Sequence, residues 1–307
     1  MNKKGVLLLA TSLSLCLGAL GQGRPVFSTY VYNGLMINPA YAGSLNVFSS
    51  TFTNRNQWLN VDGAPVTQNL TAHNAFKENQ VGVGLNVTRD AIGVHAQHNV
   101  YGSFAYKIRS RAGILSMGLQ AGFDQWSSDF NRLKWFDGTD NFNVNVNRFT
   151  PNFGTGLYFA NRDYFLGASI PYILTPKVFK EGDVDGINAN GRQSRYYYLN
   201  GGFVKDLNRN MKINPSALVR LQDKTPPAFD INVNLIFGEV VYGGISYRHQ
   251  DSFALMTQLV LNENFRFGYA YDIPTNSLRT TGSHEFFLNY RIKLKIHKKD
   301  GLCPVYF

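Results

Sequence analysis

The feature that most constrains this chain is an alternation of apolar residues with polar or small ones, repeated in many segments of about ten residues. In the stretch SFALMTQLVL, for example, Phe253, Leu255 and Leu259 share one face, whereas Ala254 and Gln258 share the other. A period of two residues is typical of a β-strand whose two faces meet different surroundings. The chain is therefore predicted to be all-β.

Strand length and aromatic placement favour strands that cross a membrane over those of a soluble sandwich, which alternate in the same way. Many of the predicted strands reach about ten residues, as a tilted membrane crossing requires. Aromatic residues make up 14% of the chain, and several lie near predicted strand ends, where outer-membrane barrels carry aromatic girdles. These residues are Tyr30, Tyr32, Trp58, Tyr101, Trp126, Tyr172 and Tyr271.

The connections between the strands alternate between short turns and longer loops. We predict about 14 strands, an even number as in outer-membrane barrels. They span residues 44–57, 66–76, 80–89, 95–109, 112–124, 150–160, 163–172, 195–206, 211–221, 228–237, 240–249, 252–261, 265–272 and 283–294. Long loops are expected at 125–149 and 173–194. The predicted fold is a transmembrane antiparallel outer-membrane β-barrel with short periplasmic turns and longer extracellular loops, since closure pairs every backbone group that lipid would otherwise leave unpaired.

The first residues have the pattern of a secretory signal peptide. Lys3 and Lys4 precede an apolar stretch, and Ala19-Leu20-Gly21 is a suitable cleavage site. A membrane span and lipidation at Cys16 are the less favoured alternatives, because the apolar stretch is short for a helix that crosses a bilayer. The expected organisation is a signal peptide at 1–21, an N-terminal periplasmic segment and possible plug at 22–43, the barrel at 44–294 and a C-terminal periplasmic tail at 295–307. We therefore expect the protein in the outer membrane of a Gram-negative bacterium, after signal-peptide cleavage.

The sequence carries no motif for catalysis, a cofactor or a metal. His95 and His98 lie three residues apart, which places them on opposite faces of a strand. Asp183 begins a stretch like a calcium loop, but the closing glutamate is missing. The formal net charge of +10 does not indicate nucleic acid as a partner, because the chain is predicted to be exported; the lipid bilayer is expected instead. We therefore predict that the protein is not an enzyme. Because Cys303 is the one cysteine after the signal peptide, we also expect no internal disulfide.

Five charged residues lie on the polar faces of predicted strands and are candidate lumen charges. A barrel of this size encloses more space than an eight-stranded barrel fills with side chains. The interior is therefore either a pore or closed by loops, ion pairs or the N-terminal segment. Each charge is interpreted as a solvated or paired lumen residue; the alternative is that some hold a plug or a translocating chain. These residues are Asp230, Arg266, Asp272, Glu285 and Arg291.

The segment MINPAYAGS, which precedes the first predicted strand, is a candidate seal of the barrel base. Pro39 lacks a donor and disfavours helix at Asn38. Tyr41 offers an aromatic ring with a hydroxyl, and Gly43 permits close backbone approach. The simpler interpretation is a turn that directs the chain into the first strand. The candidate seal residues are Asn38, Pro39, Tyr41 and Gly43.

Four stretches in order resemble the PorP/SprF proteins of the type IX secretion system of Bacteroidetes. They are FSTYVYNGLMINPAYAGS (27–44), RNQWLNVDGAPVTQNLTAH (55–73), the run from Gly243 to Arg291, and the tail with Cys303-Pro304. The resemblance implies a non-catalytic outer-membrane barrel without a cofactor. It also implies a role in gliding motility and in the secretion or surface attachment of a large adhesin, which is bound through its C-terminal domain. The other expected partners are type IX components of the periplasm and of the outer membrane.

Two other classes of function fit the same barrel. A passive or ligand-gated channel would show a stable conductance. A membrane hydrolase would turn over lipid or ester, although no serine partner for a histidine such as His284 is evident.

Overall fold

The computed structural model describes residues 24–132, 145–178, 192–223, 225–275 and 282–293. It consists of β-strands, together with short 3-10 helices. The strands are β1 (Phe48–Asn56), β2 (Val66–Phe76), β3 (Val81–Ile92), β4 (His95–Arg109), β5 (Ile114–Asp129), β6 (Asn145–Ala160), β7 (Tyr164–Ile170), β8 (Tyr196–Phe203), β9 (Lys205–Asn208), β10 (Met211–Gln222), β11 (Thr225–Phe237), β12 (Val241–Arg248), β13 (Ser252–Val260), β14 (Phe265–Pro274) and β15 (Ser283–Ile292).

The strands form one closed antiparallel sheet. Each strand pairs with its neighbours in chain order, and β15 pairs with β1, with Phe48 opposite Ile292, so that the sheet closes on itself. Strands β8 and β9 both pair with β10 and are separated only at Val204, so they make one crossing. The predicted 14-strand antiparallel barrel is therefore confirmed.

The predicted strand boundaries were least accurate at the end of the barrel that carries the longer loops. Strand β5 continues to Asp129 and β6 already begins at Asn145, inside the loop that was expected at 125–149. The polar side chains there gave no alternation, yet their backbones pair, with Ser127 opposite Asn147. The remaining parts of the two expected long loops, 133–144 and 179–191, lie outside the described residues, as do Asp183 and the tail with Cys303.

The two faces of the wall separate apolar from polar side chains as the alternation predicts. On β13, Phe253 and Leu255 are 51% and 54% exposed, whereas Ala254 and Gln258 are 4% and 1% exposed. The outward side chains form an apolar surface of the kind that lipid covers. In the part of the chain that the structure describes, no helix has the length and apolarity to cross a membrane.

Residues 24–45, here called the lumen segment, lie inside the barrel. The segment contains 3-10 helices at Ser28–Tyr32, Gly34–Met36 and Pro39–Tyr41. Its beginning contacts the part of β5 near the longer loops, called the long-loop end, and Gly43 contacts β2 near the opposite, short-turn end. The sequence predicted residues 22–43 as an N-terminal periplasmic segment and possible plug. The described part of that range, residues 24–43, runs along the lumen, where inward polar groups of the wall find their partners.

Candidate functional site: the filled lumen

At the long-loop end, Arg24 ties the lumen segment to the wall and to a loop. Its Nη2 lies 2.6 Å from Asp124 Oδ2 and donates to Gln193 Oε1 at 3.3 Å. The guanidinium carbon lies 3.3 Å from the centroid of the Tyr172 ring, a cation–π contact. Burial opposes the charged form, but the Tyr172 ring and the Asp124 carboxylate hold the pKa of Arg24 above its usual value. The guanidinium therefore stays charged where it contacts this mouth.

Below that contact, two buried carboxylates join the first 3-10 helix to strand β1. Arg55 lies 2.6 Å from Asp272 Oδ2 and 3.0 Å from Glu285 Oε2. The backbone N–H groups of Ser28 and Thr29 each donate to a Glu285 oxygen at 2.9 Å, and Ser28 Oγ donates to Asp272 at 2.7 Å. These N–H groups open a helix and have no partner within it, so a carboxylate suits them. Arg55, Asp272 and Glu285 are called the carboxylate clamp.

A further buried carboxylate, Asp230, lies between two arginines of neighbouring strands and forms a second ion pair. Arg248 Nε donates to Asp230 Oδ2 at 3.2 Å, and Arg220 Nη2 lies 3.5 Å from Oδ1. Arg248 also reaches Ser28 Oγ at 3.5 Å. The second ion pair therefore adjoins the carboxylate clamp at the same helix of the lumen segment.

Tyrosines of the lumen segment reach asparagines of the wall in the middle of the barrel. The Tyr30 hydroxyl accepts from Asn232 Nδ2 at 2.7 Å, and the Tyr32 hydroxyl donates to Asn234 Oδ1 at 2.9 Å. The Tyr32 ring packs on Phe287 with centroids 5.5 Å apart. Each tyrosine thus buries its ring while its hydroxyl is hydrogen-bonded, as burial of this side chain requires.

The candidate seal residue Asn38 shapes the next turn and fixes it to the wall. Its Oδ1 accepts from Ala40 N at 2.9 Å and caps the 3-10 helix Pro39–Tyr41. Its Nδ2 donates to the Leu157 carbonyl at 2.9 Å. Pro39 stands at the first helical position, where a missing donor costs nothing. Tyr41 packs its ring edge-on against Tyr158, with centroids 5.4 Å apart.

Inward-facing glycines of the wall make room for this turn. A Cβ on Gly118 would lie 2.2 Å from Ala40 N, and one on Gly156 would lie 2.1 Å from Asn38 Oδ1. On Gly82 it would lie 1.9 Å from the Ala42 carbonyl oxygen. Since real Cβ atoms do not approach so closely, these three positions admit the lumen segment only as glycine.

Near the short-turn end, Gly43 is bound through its backbone. Its N–H donates to His73 Nδ1 at 3.1 Å, and its carbonyl accepts from Lys107 Nζ, which also donates to Asn79 Oδ1 at 2.7 Å. Its φ of 64° is a left-handed conformation, which glycine adopts without strain. The four candidate seal residues therefore all lie in the lumen, although their role as a seal is not tested by this placement.

The five candidate lumen charges do not form one cluster. Asp272 and Glu285 belong to the carboxylate clamp, and Asp230 belongs to the second ion pair. Arg291 donates from Nε to Asn289 Oδ1 at 2.8 Å near the short-turn end. Among the described residues neither Arg266 nor Arg291 has a carboxylate within ion-pair distance, so these two arginines leave positive charge near that end.

Several residues of this site escaped sequence reasoning. Arg55, Arg248 and Asp124 face inward at their strand positions, but the alternation along a strand does not show with which groups they pair. In the sequence, Ser28 appears only as part of the stretch 27–44 that resembles the family. Its amide bonds to a residue 257 positions away, a contact that no local pattern reveals.

The lumen segment leaves little free space in the described interior. Cavities of about 50 and 40 Å³ lie beside it, one against Asn69, Asn86 and Asn99 and the other against Tyr158 and Phe165. Such cavities hold water molecules, whereas a polypeptide chain needs far more room. No group of three or more His, Cys, Asp or Glu side chains within the described ranges is arranged to hold a metal ion.

A closed barrel with an apolar outer surface and a polar, filled interior defines an outer-membrane β-barrel protein. Residues 19–290 match the family described as type IX secretion system membrane protein PorP/SprF, so the chain belongs to that family. The protein is thus a type IX secretion component of the outer membrane and works alongside other components of that system.

Solved structures with a similar fold include several outer-membrane proteins. Omp33 of Acinetobacter baumannii has a TM-score of 0.49 at 10% identity, over 80% of this chain and 99% of that chain. A FadL homologue of Pseudomonas aeruginosa has a TM-score of 0.46 at 10% identity, over 80% and 89%. The KdgM porin has a TM-score of 0.37 at 8% identity, over 81% and 99%. No curated protein sequence matches the chain significantly.

Proposed function

We propose that this protein assists the secretion or cell-surface attachment of a large adhesin-type client and thereby supports gliding motility. The client's C-terminal domain is held at the long-loop end, outside the cell, while the short-turn end meets periplasmic components of the secretion system. Residues 1–21 are removed as a signal peptide before the barrel assembles. The barrel acts by binding and not by catalysis.

The occupied lumen is the observation that carries this proposal beyond family membership. Arg24 contacts one end of the interior and Gly43 the other, and the cavities between them are small. The segment therefore obstructs the path of a client polypeptide through the barrel while it is in place. The surfaces that remain for a client and for the secretion machinery are the two ends.

Within this proposal, Asn38, Pro39, Tyr41 and Gly43 seal the lumen. The capped turn and the three glycines fit it to the wall near the short-turn half. The carboxylate clamp holds the other half, and the positive charge of Arg266 and Arg291 lies where a periplasmic partner approaches. A seal of this kind keeps a barrel of 14 crossings from leaking.

Deletion of the gene tests the proposed function. Proteins on the surface of deletion and wild-type cells are compared by protease shaving, and total proteins are compared in parallel. The expected result is the loss of one large protein from the surface while its synthesis continues, together with impaired spreading on agar. Unchanged surface proteins and unchanged spreading would contradict the proposal.

A passive or ligand-gated channel is the alternative function, and the same lumen makes it less favourable because the segment would have to move. Planar-bilayer recordings of the purified barrel distinguish the two. We expect no stable open state for the wild type. A steady conductance in the intact protein would favour the channel.

A further inference from the structure

Among the described residues, the first part of one strand of the barrel wall pairs on one side only, at the long-loop end. Strand β6 pairs with β5 along its whole length, from Asn145 to Ala160, but pairs with β7 only from Thr155 to Ala160. Strand β7 stops at Ile170, and the chain then turns inward, where Tyr172 packs on Tyr101 with ring centroids 5.1 Å apart. Within the described residues, the side of the first part of β6 that faces away from β5, here called the gap, holds no paired strand.

The direction of the backbone groups along this edge follows from two contacts. The Phe153 carbonyl accepts from Ile173 N at 2.8 Å, and Phe153 N–H donates to the Asn152 side chain. Phe153 thus points its backbone groups away from β5. Since these groups alternate along a strand, Asn147 and Phe149 also point theirs away from β5, and so does Asn145.

Pro151 agrees with this assignment. It lies on the same alternate set, opposite Phe123 of β5. Proline has no N–H, so it is tolerated in a sheet where that group would face an unpaired side. Within the described residues, the outward backbone groups of Asn145, Asn147 and Phe149 have no hydrogen-bond partner on this edge.

The surroundings of the edge select the chemistry of a partner. On the outer face Phe149 is 64% exposed, and its ring packs at a tilt against Phe123, with centroids 4.6 Å apart. On the side of the gap stand Lys177 and Arg192, which are exposed and form an isolated β-bridge, and Arg195, whose Nε donates to the Ile173 carbonyl. Of the described carboxylates nearby, Asp124 lies opposite Thr150 but is buried and paired with Arg24, whereas Asp129 lies at the tip of β5 and Asp223 adjoins Arg195.

We infer that residues 145–151 of β6 are a strand-addition site for an extended segment of the secreted client, an inference that rests on the proposed function. The added strand hydrogen-bonds to the backbone groups of Asn145, Asn147 and Phe149 that point away from β5. It alternates apolar residues, which lie beside Phe149, with acidic residues, which face Lys177, Arg192 and Arg195. A second copy of this chain is a poor occupant, because it would bring the same positive charges together.

A photo-crosslinking experiment in living cells locates the occupant. A benzoyl-phenylalanine is placed at Phe149, and as a matched control at Leu119, which is 63% exposed on the outer face of β5 but away from the edge. We expect position 149 to cross-link to the client, which is the surface protein that is lost on gene deletion, and position 119 not to do so. The cross-linked segment of the client should be an extended strand that alternates apolar and acidic residues. A cross-link to a second copy of the chain, to its own loops, or to nothing would overturn the inference.

A proline scan of the edge tests the backbone requirement. Asn147→Pro removes the N–H that faces the gap and leaves the pairing with β5 intact, as Pro151 already does two residues away. Asn147→Ala is the matched variant that keeps the N–H. Asn147→Pro removes one hydrogen bond to the added strand, and its ring hinders the approach of that strand. We therefore expect this variant to lower the yield of the cross-link from position 149 by roughly tenfold, whereas Asn147→Ala should give a yield near that of the wild type.

The outcomes separate this inference from the function on which it rests. Heat-modifiable migration on a gel verifies that each variant barrel is folded. If deletion removes the client from the surface while folded Asn147→Pro cross-links and displays it as the wild type does, strand addition at β6 is wrong and the function stands. If deletion leaves all surface proteins in place, the proposed function itself is wrong.

Discussion

Replacement of Arg55 by alanine tests whether the carboxylate clamp holds the lumen segment. The substitution removes the guanidinium from Asp272 and Glu285, whose side chains are only 3% and 0% exposed. Removal of one partner from a buried ion pair costs about 3–5 kcal/mol, because a charge is left without compensation. We expect about 3 kcal/mol, since Ser28 and Thr29 continue to donate hydrogen bonds to the carboxylates.

The free energy of unfolding and the release of the lumen segment are measured separately. Urea titration of the barrel in detergent, followed by heat-modifiable migration, gives the first. For the second, Val31→Cys in a Cys303→Ser background reports access of a maleimide to the lumen, because Val31 packs inside the barrel. We expect Arg55→Ala to label at least about tenfold faster. Arg55→Lys should fall between, since lysine keeps the charge but loses the two-pronged contact.

An exposed ion pair supplies the control. Lys212 and Glu239 lie 2.7 Å apart near the short-turn end, with Glu239 67% exposed. Exposed pairs contribute at most about 1 kcal/mol, so Lys212→Ala should change neither unfolding nor labelling appreciably. If Arg55→Ala behaves like Lys212→Ala in both measurements, the clamp does not hold the segment and the argument from burial fails.

Three further predictions concern the fit of the segment and the outer surface. Gly118→Ala places a Cβ against Ala40 and should displace the turn, at a cost of about 1–3 kcal/mol, and raise sensitivity to large antibiotics. Gly102→Ala, whose Cβ would lie 3.9 Å from the Ala121 carbonyl oxygen in an ordinary contact, should not, and equal sensitivity of the two folded variants would argue against the seal. Asn38→Ala removes the cap and should cost about 1 kcal/mol, measured as faster labelling of Val31→Cys; unchanged labelling would contradict it. Leu255→Arg, near the middle of β13, should destabilise the barrel in lipid by about 2–4 kcal/mol; unaltered unfolding in vesicles would mean that this face does not meet lipid.

The strands and their inward faces were predictable because each residue of the wall meets one of two surroundings. A period of two records that difference directly, so Gln258 and Glu285 were placed inward correctly. The same rule failed where both faces meet water, as around Asn147, since polar side chains there carry no periodic signal. Backbone pairing extended the strand regardless.

The path of the lumen segment was not predictable for a different reason. Its 3-10 turns are too short to show a periodic pattern of apolar residues. Its hydrogen-bond partners lie on strands far along the chain, such as Glu285 for Ser28. The composition of MINPAYAGS indicated close backbone approach. Only the barrel supplies the surfaces that Ala40 and Gly43 approach, which are glycines such as Gly118 of β5 and Gly82 of β3.

The contacts of the lumen segment also determine how it can move. These contacts join specific positions. The carboxylate clamp accepts hydrogen bonds from the successive N–H groups of Ser28 and Thr29, whereas Asn38 donates to the Leu157 carbonyl and lies against Gly156. A slide by one residue along the lumen would break these hydrogen bonds together and bring Cβ atoms into the spaces that the glycines keep open. The segment therefore stays fixed or leaves as a unit. Without such a release, the surfaces that the barrel offers to the proposed client and to secretion components are its two ends, where the β6 edge described above and the arginines Arg266 and Arg291 lie.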